Sequence, residues 1–183
     1  ALFEMALVAQ EDKQYSGAQQ ILAQYLHLYP QDPTVPEVLL RQGLIFRQMG
    51  AHNTAIAKFY AVMNSALGLK LEQFDYYQRL VLLAQTEIAD TYYIQGKFAE
   101  AGDFFARLLK QTSPELNRAQ IHFKLIHCLS GLGRHSDVVT QCESFFEKHP
   151  GATEAPELHF VCPSSLKQLG RLGDALRHVL TLL

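Results

Sequence analysis

The chain has 183 residues, 48% hydrophobic and 19% charged, with a formal charge of −2 from 16 basic and 18 acidic side chains. Such a composition excludes a disordered chain, and charges spread along the whole length with no Lys/Arg cluster exclude the footprint of a nucleic-acid binder. The most apolar run, Leu80 to Ala84, falls far short of the ~20 residues that cross a bilayer, so no membrane insertion is expected.

Apolar residues at helical spacing predict ten helices in five antiparallel pairs: 2–11 with 15–29, 35–49 with 52–67, 72–95 with 98–112, 115–131 with 135–148, and 154–169 with 172–183. The first residues, Ala1-Leu2-Phe3, carry neither an initiator Met nor a basic n-region. They read as an excised domain or a processed product, any signal peptide lying upstream. In the second pair, Thr34-x-x-Glu37 reads as a capping box with Pro36 in the first turn, and Ser113-Pro114 reads as the cap of the fourth pair. Tyr29-Pro30 and His149-Pro150 close second helices, because a residue before proline is pushed out of the helical region. Pro163 falls inside the predicted helix 154–169. It removes a hydrogen bond at a cost of ~3 kcal/mol, so a kink or break is expected near Cys162.

The pairs recur with a measurable period. Gly50, Gly96, Gly133 and Gly170 each stand between the two helices of a pair, and Ala55, Ala101, Val138 and Ala175 follow five residues later. Lys13 and Ala18 extend the pattern backwards, with Lys where the others have Gly. Successive turns are separated by 37, 46, 37 and 37 residues. Three equal intervals in four define a repeat, with units of about 1–32, 33–68, 69–113, 114–151 and 152–183 in a single array. The longer interval is an insertion, expected to lengthen the first helix of the third pair because Glu72 to Ile94 keeps an unbroken helical pattern.

These residues resemble the tetratricopeptide repeat family over essentially the full chain. The resemblance implies an all-α solenoid of about five antiparallel helix pairs forming a right-handed superhelix. Ala6, Gly43 and Ala89 would fill the family's small slot on first helices, with Ala18, Ala55, Ala101 and Ala175 in the facing slot on second helices. Phe46, Tyr92, Leu129 and Leu166 would fill its large first-helix slot, and Leu22, Phe59, Phe105 and Val179 the large second-helix slot. Departures are the absence of Trp, Ile126 opposite Val138 where both should be small, and Pro163 in a small-residue slot. The 37-residue period and the Tyr-Pro-x-Asp-Pro-x-x-x-Glu run at 29–37 are also weakly similar to bacterial envelope members of the family, the outer-membrane assembly lipoprotein and the cell-division coordinator.

By the same resemblance, first helices line the concave face. Its residues here would be Phe3, Leu7, Leu40, Leu44, Arg47, Gln48, Asp90, Tyr93, Ile94, Phe123, His127, Phe160, Ser164 and Lys167. An apolar groove with isolated polar anchors suits a peptide or amphipathic helix of another protein. The plainer alternative is that many of these side chains are core between repeats. A clamp for a C-terminal carboxylate is not expected, since Leu40, Leu44 and Phe123 stand where its donors would project.

Chemistry is not indicated. No phosphate loop, nucleophile elbow or His-Glu-x-x-His run occurs. His127 and Cys128 are adjacent and so diverge on a helix. Cys128, Cys142 and Cys162 have neither disulfide-framework nor zinc spacing, and His122, His127 and His159 do not enforce convergence on a metal. No enzyme activity, cofactor or metal is therefore expected. The leading reading is a binding scaffold. The other is an assembly segment of a larger envelope protein that self-associates through its apolar C-terminal end. Unpaired cysteines point to a reducing compartment and the narrower resemblance to the bacterial envelope, the latter slightly favoured.

Overall fold

The computed structural model describes residues 2–67 and 74–180, and every regular element among them is a helix. In chain order these are α1 Leu2–Glu11, α2 Tyr15–Leu28, α3 Val35–Gln48, α4 His52–Leu67, α5 Phe74–Ile94, α6 Phe98–Leu109, α7 Arg118–Gly131, α8 His135–Lys148, α9 Ala155–Gln168 and α10 Leu172–Leu180. The all-α helix-pair architecture expected from the period is present. Predicted residues 72–73 and 181–183 lie outside the described residues. The chain forms two compact units, residues 1–91 and 92–183, with the boundary inside α5. In the first, α1 packs on α2, α2 on α3 and α3 on α4; in the second, α6 to α10 pack in sequence and α7 also touches α9.

The turn within each pair is built the same way five times. Gly50, Gly96, Gly133 and Gly170 have φ of 77°, 71°, 68° and 75°, and Lys13 takes the same left-handed conformation at φ 59°. One residue later the amide reaches back five residues: Gln14 to Ala9 O at 2.8 Å, Ala51 to Phe46 O at 2.8 Å, Lys97 to Tyr92 O at 2.9 Å, Arg134 to Leu129 O at 2.9 Å and Arg171 to Leu166 O at 2.9 Å. This six-residue closure satisfies the carbonyls that a helix end leaves open. Lys13 accepts the strain that glycine avoids.

Small residues lie where the repeat requires close approach. Ala6, Ala18, Ala55, Ala89 and Ala101 are all buried. At Gly43 an added Cβ would stand 2.4 Å from the Phe59 ring. Above these crossings sit Leu22, Phe59, Phe105 and, in the fourth pair, Cys142. Ile126 and Val138 are both fully buried, so the fourth pair closes over bulkier side chains. The second helices end as expected at Tyr29 and His149, with matching φ/ψ of −130°/57° and −128°/54°. The insertion in the third repeat goes largely into α5, 21 residues long against 14 for α3, α7 and α9.

Three local expectations are corrected. The capping box at Thr34 does not form: its hydroxyl donates to Asp32 Oδ1 at 2.7 Å and meets the Tyr25 hydroxyl at 2.7 Å, while Asp32 takes the Thr34 amide at 2.8 Å. Asp32 holds the entry to α3 instead, and these bonds keep its carboxyl below the usual carboxylate range. The fourth pair begins at Arg118, three residues beyond the expected start. Residues 113–116 make a turn, and the cap is Asn117, whose side chain accepts the Gln120 amide at 3.1 Å. Finally, of the kink or break expected near Cys162, the break does not occur: α9 spans Ala155–Gln168 with Pro163 inside it. Burial of Leu158 and Cys162 before it and Ser165 and Leu166 after it holds the helix together across the missing hydrogen bond.

Candidate functional site

Each first helix buries one face and leaves another outward, and the expected groove residues divide along that line. In the first unit, Phe3 packs half-buried against the cluster of Ala6, Ala18, Leu22, Val38 and Ile45, its ring 6.4 Å from Tyr25. Leu40 is only 4% exposed and belongs to the core. Leu44 is half-buried. Leu7 and Gln48 are brought together, lining an open pocket of about 400 Å3 with Lys13, Tyr15 and Arg41. Asp90 is half-buried. Arg47 forms an ion pair with Glu87 of α5, both side chains largely sheltered.

In the second unit, Tyr93 lies edge-on to Phe98 and Phe105 of α6, with ring centroids 5.9 and 6.3 Å away. Tyr93 is half-buried. Ile94 is 60% exposed and Phe160 is 75% exposed. Phe123 sits 37 residues before Phe160, at the same place on the preceding first helix, and its ring is 4.4 Å from His127. His127 Nε2 stands 3.2 Å from Glu157 Oε1 of α9. Burial holds His127 below its ordinary value, and Glu157 opposes that shift. Ser164 and Lys167 are exposed on α9.

Sequence reasoning found the helices that carry this face but did not assign Glu87 and Glu157 to it. These carboxylates engage Arg47 and His127 from the next first helix. The signal available was a carboxylate on the first helix one repeat further on. Among the described residues, no group of three or more His, Cys, Asp or Glu could hold a metal ion, and no helix is long and apolar enough to cross a membrane.

Helix pairs closed by left-handed turns over small crossing residues define an α-solenoid of helix-turn-helix repeats. Residues 1–32 match the family model of the tetratricopeptide repeat. Solved structures similar to the chain include MamA AMB-1, with 19% identity and TM-score 0.69 over 97% of this chain and 86% of that one. A second crystal structure of MamA gives 16% identity and TM-score 0.71 with the same coverage. The third is YrrB, described as a TPR protein with an unusual peptide-binding site, with 12% identity and TM-score 0.69 over 97% of this chain and 80% of that one. No curated protein matches the chain in sequence. The chain thus has the tetratricopeptide-repeat fold, and its first repeat carries the family's sequence pattern.

Proposed function

We propose that this chain is a non-enzymatic protein–protein interaction scaffold whose repeats 1–32, 33–68, 69–113, 114–151 and 152–183 act as one array. The face made by its first helices receives a peptide or helical segment of a partner protein. The observation that carries this reading is Phe160, a phenyl ring 75% exposed on a first helix, in register with Phe123 one repeat earlier. Aromatic anchors repeated along a rigid face are what a bound segment needs at alternate positions. The unusual peptide-binding site of YrrB supports the reading by analogy of fold. The test is selection from a displayed peptide library on the wild-type chain, followed by titration of the selected peptides against Phe160→Asp and Phe123→Ala. Expected is at least a tenfold loss of affinity with unchanged helical circular dichroism. Peptides that bind both variants as tightly as wild type would remove the groove from consideration.

A second reading rests on α10. Leu172, Leu176 and Val179 are 62%, 62% and 43% exposed, and their spacing places them on one stripe. Such a stripe supports self-association, as in an assembly segment of a larger protein. Sedimentation equilibrium from micromolar to hundreds of micromolar chain is the check; a strict monomer throughout, unaltered by Leu176→Glu, eliminates this reading.

A further inference from the structure

Beyond the groove, the second unit contains a cleft of about 940 Å3 where the end of α6, the start of α7 and the end of α8 meet. Lys110, Arg118 and Lys148 line it together with His122 and His149, and no Asp or Glu is among its lining residues. We propose that this cleft binds a phosphoryl group or a comparable dianionic oxyanion, carried on a peptide side chain or free in solution.

Four observations carry the assignment. First, the charges are gathered from three helix ends and are not demanded by the packing: the same register between the first and second repeats holds His27, Val35 and Ser65. Second, Arg118 is positioned in advance. Its guanidinium donates to the carbonyls of Gln111 at 2.5 Å and Leu109 at 2.6 Å, bonds that tie it to the chain leaving α6 and occupy two of its five N–H groups. Third, Asn117 takes the Gln120 amide, leaving the preceding amides of the first turn of α7 without a partner inside the helix. Fourth, His122, only 3% exposed, is fixed by Gln141 Oε1 at 2.9 Å from its Nε2 and stands 5.5 Å, ring to ring, from His149.

The two imidazoles register the field of the cleft. After burial, Lys148 and Arg118 are among the groups that hold both of them below their ordinary value; Glu154 opposes the shift at His149. Three positive charges facing one cleft match a phosphoryl group, which carries about −1.5 to −2 at neutral pH, better than a single carboxylate.

The experiment uses the full chain at constant ionic strength. Inorganic phosphate, the blocked tripeptide Gly-phosphoserine-Gly and its Gly-Glu-Gly counterpart are titrated while the imidazole resonances of His122 and His149 are followed by NMR. Expected are saturable shifts with phosphate and the phosphoserine peptide that sodium chloride does not reproduce. Binding should weaken at least tenfold in the double variant Lys110→Ala/Lys148→Ala and stay unchanged in Lys58→Ala, a substitution on α4 that removes a positive charge from outside the cleft lining. A tenfold preference for the phosphoserine peptide over inorganic phosphate supports a site that reads a modified chain, and equal affinity supports one for the free anion. The proposal is overturned by non-saturable shifts, by equal binding of the Glu peptide, or by wild-type affinity in the double variant with an unchanged melting curve.

Discussion

Phe59 of α4 lies so close over Gly43 of α3 that a Cβ at position 43 would stand 2.4 Å from its Cε1 and 2.7 Å from its Cδ1. Phe59 is fully buried, so its ring has nowhere to swing. Gly43→Ala gains up to ~1 kcal/mol of helix propensity but overpacks the pair by ~1–3 kcal/mol. The expected outcome is net destabilisation of about 1 kcal/mol in urea unfolding. In the double variant with Phe59→Leu the added methyl should cost much less than it does alone. A higher unfolding midpoint for Gly43→Ala would show that the contact is not rigid.

Lys13 is the one non-glycine among the described residues with positive φ. An L side chain in that region is disfavoured by roughly 1 kcal/mol relative to glycine. Lys13→Gly is therefore expected to raise the stability of the first unit by about 0.5–1 kcal/mol, and Gly50→Ala to lower it by a similar amount. Thermal melts of the two variants check the pair. Opposite signs are the expected result, and a Lys13→Gly chain less stable than wild type would contradict the turn geometry.

These two sites explain why so much of the architecture was legible in the sequence. A left-handed turn residue followed five positions later by a small one is a backbone demand, so its spacing survives in the residues themselves. The same holds for Tyr29 and His149, whose conformations are imposed by the prolines after them. Thr34, Arg118 and Pro163 were read less well because competing partners decide them: Asp32 and Tyr25 for the Thr34 hydroxyl, Asn117 for the start of α7, and buried neighbours for continuity of α9. Lys110, Arg118 and Lys148 form no cluster along the chain and converge only when three helix ends meet. Likewise, nothing local distinguishes Leu40, a core residue, from Leu44, which is half-buried.

Stability should fall on acidification. His122, His127, His149 and His178 are all held below the ordinary histidine value of 6.5, in each case chiefly by burial. A folded-state pKa below the unfolded one means that protons bind the unfolded chain more tightly. The stabilisation from these neutral rings is fully present above pH 6.5 and is lost as the pH falls through the folded-state values. Urea midpoints at pH 7.5, 6.5 and 5.5 should decline in that order, most steeply below 6.5. A flat or rising series would show that the rings are solvated.

The three cysteines are buried, and burial pushes the Cys128 thiol up to about 12. The Cys142 thiol is raised too, by its hydrogen bond with Cys162 and by burial. The same hydrogen bond lowers the Cys162 thiol, so its protection rests on burial alone, at 2% exposure. Thiolate is the reactive species and must also be reached, so iodoacetamide at pH 8 should leave the native chain essentially unlabelled and label all three positions after unfolding in urea. Rapid labelling of any one under native conditions would place that thiol at the surface.

Arg47 of α3 and Glu87 of α5 pair with side chains 24% and 18% exposed. Removing the guanidinium alone leaves a sheltered carboxylate short of its counter-charge, whereas removing both charges leaves two apolar stems that can pack. Arg47→Met is expected to cost about 1–3 kcal/mol, and Arg47→Met/Glu87→Leu to recover most of that loss, giving a coupling energy readable from a urea double-mutant cycle. The same cycle bears on the proposed groove. If Arg47 acts only as a tie between α3 and α5, the double variant regains stability and keeps peptide affinity. If it also contacts the bound segment, stability returns and affinity does not.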